Sequence, residues 1–198
     1  MMDTGYFLVA ILSFLSGSIP FGYILSKVKG VDITKKGSGN IGATNISRVF
    51  GIKWAILVGL FDVLKGAIPV YVAKRLGFSD WQLVAVCLFP VLGNVFNPWL
   101  GFKGGKGVST TFGVLSVLLG WRLGLICLLV WIALLYLINL MSLTNLLLIL
   151  FAPYLLYSLH GFRLSLVGFI MILIIWYSHR KNITRLISGQ EPPLFNRP

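Results

Sequence analysis

The chain has 198 residues, of which 57% are hydrophobic and only 11% are charged. Soluble domains usually carry about a quarter charged residues, so this composition excludes an ordinary soluble protein and favours an integral membrane protein. Seventeen Lys and Arg residues against five Asp and Glu residues give a formal net charge of +12, and because they are scattered between apolar segments they indicate an anionic membrane face or anionic substrates rather than nucleic acid.

Hydrophobic segments long enough to cross a bilayer recur along the chain. A spanning α-helix needs about 20 mostly apolar residues. A shorter apolar run over 108–120 is consistent with a short span, a re-entrant segment or a buried helix. We therefore predict an all-α integral membrane protein, a single transmembrane domain over 1–198, with seven transmembrane helices of which this one is short. The other six are expected near 5–25, 54–73, 82–100, 123–141, 143–159 and 163–178.

The distribution of basic residues predicts the orientation of these helices. If the N-terminus lies outside, the inner segments hold 12 of the 17 Lys and Arg residues and the outer segments hold four. The remaining one, Lys65, falls within the second span. Positive residues are enriched on the cytoplasmic side of membrane proteins, so the C-terminus is expected to be cytoplasmic. Three polar segments, 26–53, 101–110 and 179–191, then open on the cytoplasmic side and are expected to form the walls of one site.

The first polar segment, 26–53, contains a glycine-rich stretch over 37–45. Closely spaced glycines let the backbone approach a ligand and turn consecutive N–H groups the same way, which forms a nest for an anion. Polar side chains can cap the following helix, and an arginine can bind phosphate in bidentate fashion. The alternative is an interfacial loop with a helix cap. The candidate residues are Ser38, Gly39, Asn40, Gly42, Thr44, Asn45 and Arg48.

The second polar segment, 101–110, resembles a nucleotide-binding P-loop without satisfying its spacing. The interval from Gly101 to Gly105-Lys106 is one residue short, and Gly107 occupies the place of the required Ser or Thr. ATP hydrolysis is therefore not expected. A glycine-rich turn with lysines before a helix still suits a phosphate, and the alternative is a basic loop at the membrane surface. The candidate residues are Lys103, Gly104, Gly105, Lys106, Gly107 and Thr110.

The third polar segment, 179–191, follows the last predicted span. On a helix, His179, Asn182 and Arg185 would share one face through steps of three residues. Arg185 and the following Glu191 are candidates for binding the substrate or its phosphate. The alternative is a basic anchor on the cytoplasmic side. Ser142 lies at a helix turn on the same side, where helix capping is the alternative to a catalytic role.

Familiar catalytic motifs are absent from the sequence. The fifth residue after His160 is Ser165 and the fifth after His179 is Thr184, so the His-x4-Asp arrangement of glycerolipid acyltransferases is missing. There is neither a Gly-x-Ser-x-Gly elbow nor a His-Glu-x-x-His zinc motif, and we expect no metal or cofactor. A site with cationic side chains and hydrogen-bond donors but no nucleophilic side chain suits a substrate that is already chemically activated.

Four runs of sequence, 17–23, 37–45, 102–110 and 179–191, resemble those of the PlsY family of bacterial acyl-phosphate:glycerol-3-phosphate acyltransferases. One departure is Asn94, where the family commonly has His. The resemblance implies transfer of a fatty acyl group from acyl phosphate to the 1-hydroxyl of glycerol 3-phosphate, giving lysophosphatidic acid and phosphate. It also implies the bacterial inner membrane, a site facing the cytoplasm, and a soluble partner enzyme that makes the acyl phosphate.

The residues then take hypothetical roles in that reaction. Ser38, Arg48 and Lys106, with nearby amides, would hold phosphate groups. His179 and Asn182 would orient the glycerol or the acyl carbonyl, and backbone N–H groups or Asn45 would stabilise the tetrahedral oxyanion. The proton acceptor is either His179 or a substrate phosphate oxygen. Substrates reach the site from the cytoplasm and the membrane lipid.

A transporter for a phosphorylated solute is the alternative function. Asp62 and Lys65 lie one helical turn apart within a predicted span, where charges are costly and often functional. A transporter would need a polar pathway to the outer face, whereas the outer loops are short and lack glycine-rich segments. An ion pair that only stabilises the fold is equally consistent with these two residues.

Overall fold

The computed structural model describes residues 4–195, and over this range all regular structure is helical. Short 3-10 helices occupy Ile33–Lys35, Pro98–Leu100 and Ile149–Phe151. The α-helices are α1 (Thr4–Ser18), α2 (Phe21–Val28), α3 (Ala43–Phe50), α4 (Ile52–Arg75), α5 (Asp80–Val95), α6 (Val108–Leu119), α7 (Trp121–Ile138), α8 (Met141–Leu148), α9 (Ala152–His160), α10 (Phe162–Ser178) and α11 (Arg180–Ile187).

The helices account for the seven predicted hydrophobic segments. The candidate spans are α4, Asp80–Leu100, α7 and Met141–His160, together with two bent pairs, α1 with α2 and α10 with α11. The seventh segment is α6, an apolar helix of 12 residues. The all-α membrane fold is therefore confirmed, with α6 as the short helix.

The first predicted span, 5–25, is not one continuous helix. It breaks at Ile19 and Pro20, where α1 and α2 meet at an angle of 43°. Proline has no N–H to continue the helical hydrogen bonds. At the break the Ile19 carbonyl accepts from the N–H of Phe21 at 3.1 Å and from Lys65 Nζ of α4 at 2.9 Å.

Glycines let the central helices cross closely. Gly66 of α4 faces a backbone carbonyl of α6, and Gly113 of α6 faces a backbone carbonyl of α4. Gly17 and Gly93 do the same between α1 and α5. Small residues at such crossings are typical of membrane helices, because helix association in lipid depends on close packing.

Polar contacts mark the two ends of the bundle. At one end, His160 Nε2 lies 2.8 Å from the carbonyl oxygen of Leu118, and Lys74 Nζ donates to the carbonyl of Val117 at 3.3 Å. At the other end, the Ser178 hydroxyl donates to the carbonyl of Lys106 at 2.9 Å. Lys106 precedes α6 and Leu118 lies in its last turn, so α6 extends between these two sets of contacts.

Replacing Gly113 by Ala tests the crossing of α4 and α6. A Cβ at this position would overlap the carbonyl of Val63, and overpacking typically costs about 1–3 kcal/mol. Gly59→Ala is a matched control in α4, because its Cβ would meet only the Cβ of Ala43, at 3.8 Å. Thermal unfolding in detergent should show a lower midpoint for Gly113→Ala and an unchanged or higher one for Gly59→Ala. Equal midpoints would contradict the close crossing.

Candidate active site

Asn45 organises the glycine-rich stretch of the first polar segment. Its side chain is 1% exposed, and its Nδ2 donates to the carbonyls of Lys36 at 2.9 Å and Asn40 at 2.8 Å. Its Oδ1 accepts from the N–H of Ser38 at 2.8 Å. Both ends of the amide are thus engaged within the segment. The expectation that Asn45 stabilises an oxyanion is corrected accordingly, because its donors already bind loop carbonyls.

The amides of this stretch are also engaged within the protein. The N–H of Gly39 donates to the carbonyl of Lys36 at 3.0 Å, and the N–H of Gly42 donates to Asn40 Oδ1 at 2.8 Å. Gly37 has φ 58°, and a Cβ there would overlap the Asn45 side chain. The amides of Gly39 and Gly42 are therefore not available to an anion as predicted. The side chains of Ser38, Thr44 and Arg48 and the Nδ2 of Asn40 remain for a ligand.

The second polar segment is tied to the end of α5 in a similar way. The N–H of Gly104 donates to the carbonyl of Val95 at 3.1 Å, and that of Gly105 donates to the carbonyl of Asn94 at 3.0 Å. These two glycines therefore shape the segment instead of cradling a phosphate. Gly107, with φ 80°, packs closely on side chains of α5 and α10. It precedes α6, whose first N–H groups have no intrahelical acceptor.

Two further candidates of the second polar segment lie apart from this arrangement. Lys103 is exposed. Thr110 is fully buried, with its methyl group and carbonyl against Gly66 of α4. Its environment is that of a helix crossing.

His179 lies at the bend between α10 and α11 and is fully buried. Its Nδ1 lies 2.8 Å from the carbonyl oxygen of Ile175. A carbonyl only accepts, so we assign the ring proton to Nδ1, which leaves Nε2 as an acceptor. Nε2 has no hydrogen-bond partner among residues 4–195. Burial, assisted by the nearby Lys106 ammonium, lowers the pKa of His179 to about 4, so the imidazole is neutral at physiological pH.

Glu191 gathers donors from two helices. Its Oε1 accepts from the Ser142 hydroxyl at 2.7 Å and from Asn182 Nδ2 at 2.6 Å, while its Oε2 accepts from Arg185 Nε at 2.7 Å. Burial opposes ionisation, but the hydrogen bonds from Asn182, Arg185 and Ser142 hold the pKa of Glu191 below its usual value. A carboxylate repels phosphate, so direct contact of Glu191 with a phosphate group is disfavoured, and its role in substrate binding stays a prediction. Its hydrogen bonds orient these three side chains.

Lys106 is where the three polar segments meet. Its ammonium interacts electrostatically with Arg48 of the first segment and with Arg185 and Glu191 of the third. Burial lowers the pKa of Lys106 to about 8, with Arg185 and Arg48 acting in the same direction and Glu191 opposing them. Lys106 thus has two guanidinium groups and one carboxylate within electrostatic reach, an arrangement that an anionic ligand would stabilise.

A contact that the sequence did not reveal holds the chain after Glu191. Asn139, which follows α7, accepts from the N–H of Leu194 through its carbonyl at 2.9 Å. Its side chain donates to the carbonyl of Phe195 at 2.9 Å and accepts from the N–H of Phe195 at 2.8 Å. Asn139 has φ 56°, and asparagine tolerates this left-handed conformation better than most residues. These bonds fix residues 194–195 and so help to hold Glu191.

Between residues 4 and 195, no group of three or more His, Cys, Asp or Glu side chains is arranged to hold a metal ion.

The proximity of Glu191 to Lys106 can be tested through the ionisation of Lys106. Because the carboxylate raises the pKa of Lys106, Glu191→Gln should lower it further and make the amine reactive at lower pH. The measurement is the pH dependence of Lys106 acetylation by mass spectrometry. Asp80→Asn is the control, since Asp80 pairs with Arg163 at the other end of the bundle. If the pH dependence of Lys106 acetylation is unchanged in Glu191→Gln, the proximity of Glu191 to Lys106 is contradicted.

Comparison with known proteins shows which family this chain resembles. A family model described as glycerol-3-phosphate acyltransferase matches residues 7–189. Relatives of that name include proteins of Mesorhizobium japonicum, 40% identical over 96% of both chains, and of Aquifex aeolicus, 39% identical over 92% of this chain and 96% of the relative. The protein of Thermus thermophilus is 40% identical over 94% of both chains.

Two solved structures share the fold. Both are described as PlsY (YgiH), an integral membrane glycerol 3-phosphate acyltransferase, and both are 36% identical to this chain. The glycerol 3-phosphate form superposes with a TM-score of 0.90 and covers 97% of this chain and 96% of its own. The lysophosphatidic acid form has a TM-score of 0.87, with coverages of 96% and 95%. These comparisons give the transporter alternative no support. The chain belongs to the PlsY family of glycerol-3-phosphate acyltransferases.

Proposed function

We propose that the protein transfers a fatty acyl group from acyl phosphate to the 1-hydroxyl of glycerol 3-phosphate, with lysophosphatidic acid and phosphate as products. The observation that carries this proposal is the meeting of Arg48, Lys106 and Arg185 beside the neutral imidazole of His179. Both substrates bear phosphate, and solved relatives are described in glycerol 3-phosphate and lysophosphatidic acid forms.

The cationic side chains bind the phosphate groups in this proposal. Arg48 and Arg185 offer planar guanidinium groups that suit bidentate contact with phosphate oxygens, and Lys106 adds a point charge. The hydroxyls of Ser38 and Thr44 are further donors. Since the amides of Gly39, Gly42, Gly104 and Gly105 bind the protein itself, recognition of phosphate depends mainly on side-chain charge.

The reaction needs little covalent participation by the protein. The 1-hydroxyl oxygen attacks the acyl carbon, the bond from this carbon to the phosphate oxygen breaks, and phosphate leaves with its charge stabilised by the cations. Nε2 of His179 accepts a hydrogen bond from the attacking hydroxyl and orients it. Because the pKa of His179 is about 4, a substrate phosphate oxygen, with a second pKa of about 6, is the better final proton acceptor.

The acyl chain of the donor requires an apolar path at the edge of the bundle. A groove of about 750 Å³ lies between α1 and α4 and is lined by apolar side chains. It reaches the break between α1 and α2 at Ile19 and Pro20, and it includes Trp99 from the approach to the second polar segment. This position suits a chain that remains in the membrane while its phosphate lies among the cations.

The proposal also assigns the protein to a membrane face. The polar segments that meet at Lys106 carry most of the basic residues, which favours the cytoplasmic face of the bacterial inner membrane. Glycerol 3-phosphate is a charged solute and would arrive from that side. Acyl phosphate is a reactive mixed anhydride, so a soluble enzyme that makes it close to the membrane is the expected partner.

An assay with two donors tests the function. Purified protein in detergent is incubated with glycerol 3-phosphate and either synthetic acyl phosphate or acyl-CoA. We expect lysophosphatidic acid and an equal amount of phosphate from acyl phosphate, and no product from acyl-CoA. Product from acyl-CoA alone would overturn the donor, and no product from either would overturn the function.

Removing a phosphate-binding cation should reduce activity strongly. Hydrogen bonds to charged groups contribute about 1.5–3 kcal/mol, so Arg48→Ala and Lys106→Ala should each lower kcat/KM for glycerol 3-phosphate by about 10–100-fold. Lys181→Ala, on the exposed side of α11, is the matched control. Near-normal kcat/KM in both site variants would remove these residues from the site.

The pH profile separates the two roles of His179. With a pKa of about 4, the imidazole is neutral throughout the range from pH 5 to pH 8. His179→Gln should therefore reduce the rate without changing the shape of the kcat/KM profile in that range. A wild-type limb near pH 6.5 that disappears in His179→Gln would instead identify the imidazole as the base.

A further inference from the structure

A charged pair lies inside the bundle, away from the cations of the site. The Lys65 ammonium is 2.7 Å from Asp62 Oδ1, and the two side chains are 2% and 12% exposed. Both belong to α4, a membrane-spanning helix. Charges at this depth are costly and are usually retained for a reason, and the proposed reaction gives this pair no chemical role.

The Lys65 ammonium joins three parts of the fold. Besides Asp62, it donates to Asn94 Oδ1 in α5 at 2.8 Å and to the carbonyl of Ile19 at 2.9 Å. The Ile19 carbonyl lies at the break between α1 and α2, where it also accepts from the N–H of Phe21 at 3.1 Å. All three ammonium hydrogens thus have acceptors, and Asp62 supplies the counter-charge.

Asn94 carries this connection to the second polar segment. Its backbone carbonyl accepts from the N–H of Gly105 at 3.0 Å, and Gly105 directly precedes Lys106. Its side chain lies against the same glycine, since a Cβ at Gly105 would be 3.0 Å from Asn94 Nδ2. A shift of Asn94 would therefore move the backbone next to Lys106.

The break between α1 and α2 is tied to the same segment by a second route. Asn97 Nδ2 donates to the carbonyl of Ser18 at 2.6 Å, and Trp99 Nε1 donates to the Ser18 hydroxyl at 3.0 Å. Asn97 in turn accepts from the N–H of Phe102 through its carbonyl at 2.8 Å. Lys65 thus binds Asn94 and the break between α1 and α2. Each of these two parts of the fold is connected by hydrogen bonds to the second polar segment.

We infer that Lys65 is a positioning residue for acyl transfer, because it holds Asn94 and the break between α1 and α2 and thereby sets the position of Lys106. The inference rests on the proposed function. It differs from a simple stabilising role, in which loss of the contact would weaken the fold without acting through Lys106.

A double-mutant cycle separates these two roles. Asn94→Leu removes the acceptor of Lys65 at similar volume, and Asn94→Asp keeps an acceptor there. Each is measured in the wild-type and Lys106→Ala backgrounds, since residues that act through one another give non-additive effects. Asn145→Leu is the control, because Asn145 Oδ1 accepts a bond of the same length, 2.8 Å, from Trp131 Nε1 between α8 and α7 and has no contact with Lys65 or Asn94.

We expect Asn94→Leu to lower kcat/KM about tenfold in the wild-type background and less than about threefold in Lys106→Ala. Asn94→Asp should recover most of the loss, and Asn145→Leu should have the same proportional effect in both backgrounds. The acetylation profile of Lys106 should also shift in Asn94→Leu but not in Asn145→Leu. Equal proportional losses for Asn94→Leu in both backgrounds, with an unchanged Lys106 profile, would overturn the inference.

A second variant covers the case in which Asn94→Leu does not fold. Asp62→Asn combined with Lys65→Gln removes both charges together and leaves no unpaired ion in the bundle. The same non-additivity with Lys106→Ala is expected, and additivity would overturn the inference. If the wild-type protein makes no lysophosphatidic acid from acyl phosphate, the proposed function fails. The inference fails if the wild type is active and the cycles are additive.

Discussion

The gathering of positive charge around the partly buried Lys106 is the constraint on which the site depends. Lys106 lies within electrostatic reach of Arg48 and Arg185, and Glu191 is the carboxylate that opposes them. Repulsion between like charges is screened less at a partly buried group than at an open surface, so the fold must hold them together at a cost. Glycine-mediated helix crossings and the contacts of Asn139 and Lys65 provide that rigidity. A bound phosphate would offset the repulsion, which makes the site selective for anions.

The glycine-rich segments contribute shape more than direct contacts. Their amides bind Asn40, Lys36 and the last turn of α5, so the backbone is fixed before a ligand arrives. The ligand then meets side chains whose positions are set in advance, which is the arrangement that stabilises developing charge without reorganisation. Glu191 serves the same end, because it holds Asn182 and Arg185 in place.

Sequence reasoning predicted the features that depend on local pattern. Apolar runs predicted all seven helical segments, and the three-residue steps after the last span placed Asn182 and Arg185 together, where both bind Glu191. It did not predict which of the candidate site residues are already hydrogen-bonded to other parts of the protein. Asn45, Gly104 and Glu191 bear the right chemistry for substrate contact, but their partners come from the folded arrangement, as with Ser142, 49 residues from Glu191. The contact of Lys65 with Asn94, 29 residues away, has no local signature.

Proton uptake on binding is the most direct test of the central claim. Titration calorimetry of glycerol 3-phosphate at pH 8.5, in buffers of different ionisation enthalpy, counts the protons taken up. The ligand phosphate, with a second pKa of about 6, is fully ionised there, whereas Lys106, with a pKa of about 8, is partly neutral and should gain a proton when phosphate binds. We expect uptake in the wild type and none in Lys106→Arg. No uptake in the wild type, or equal uptake in both proteins, would contradict the account.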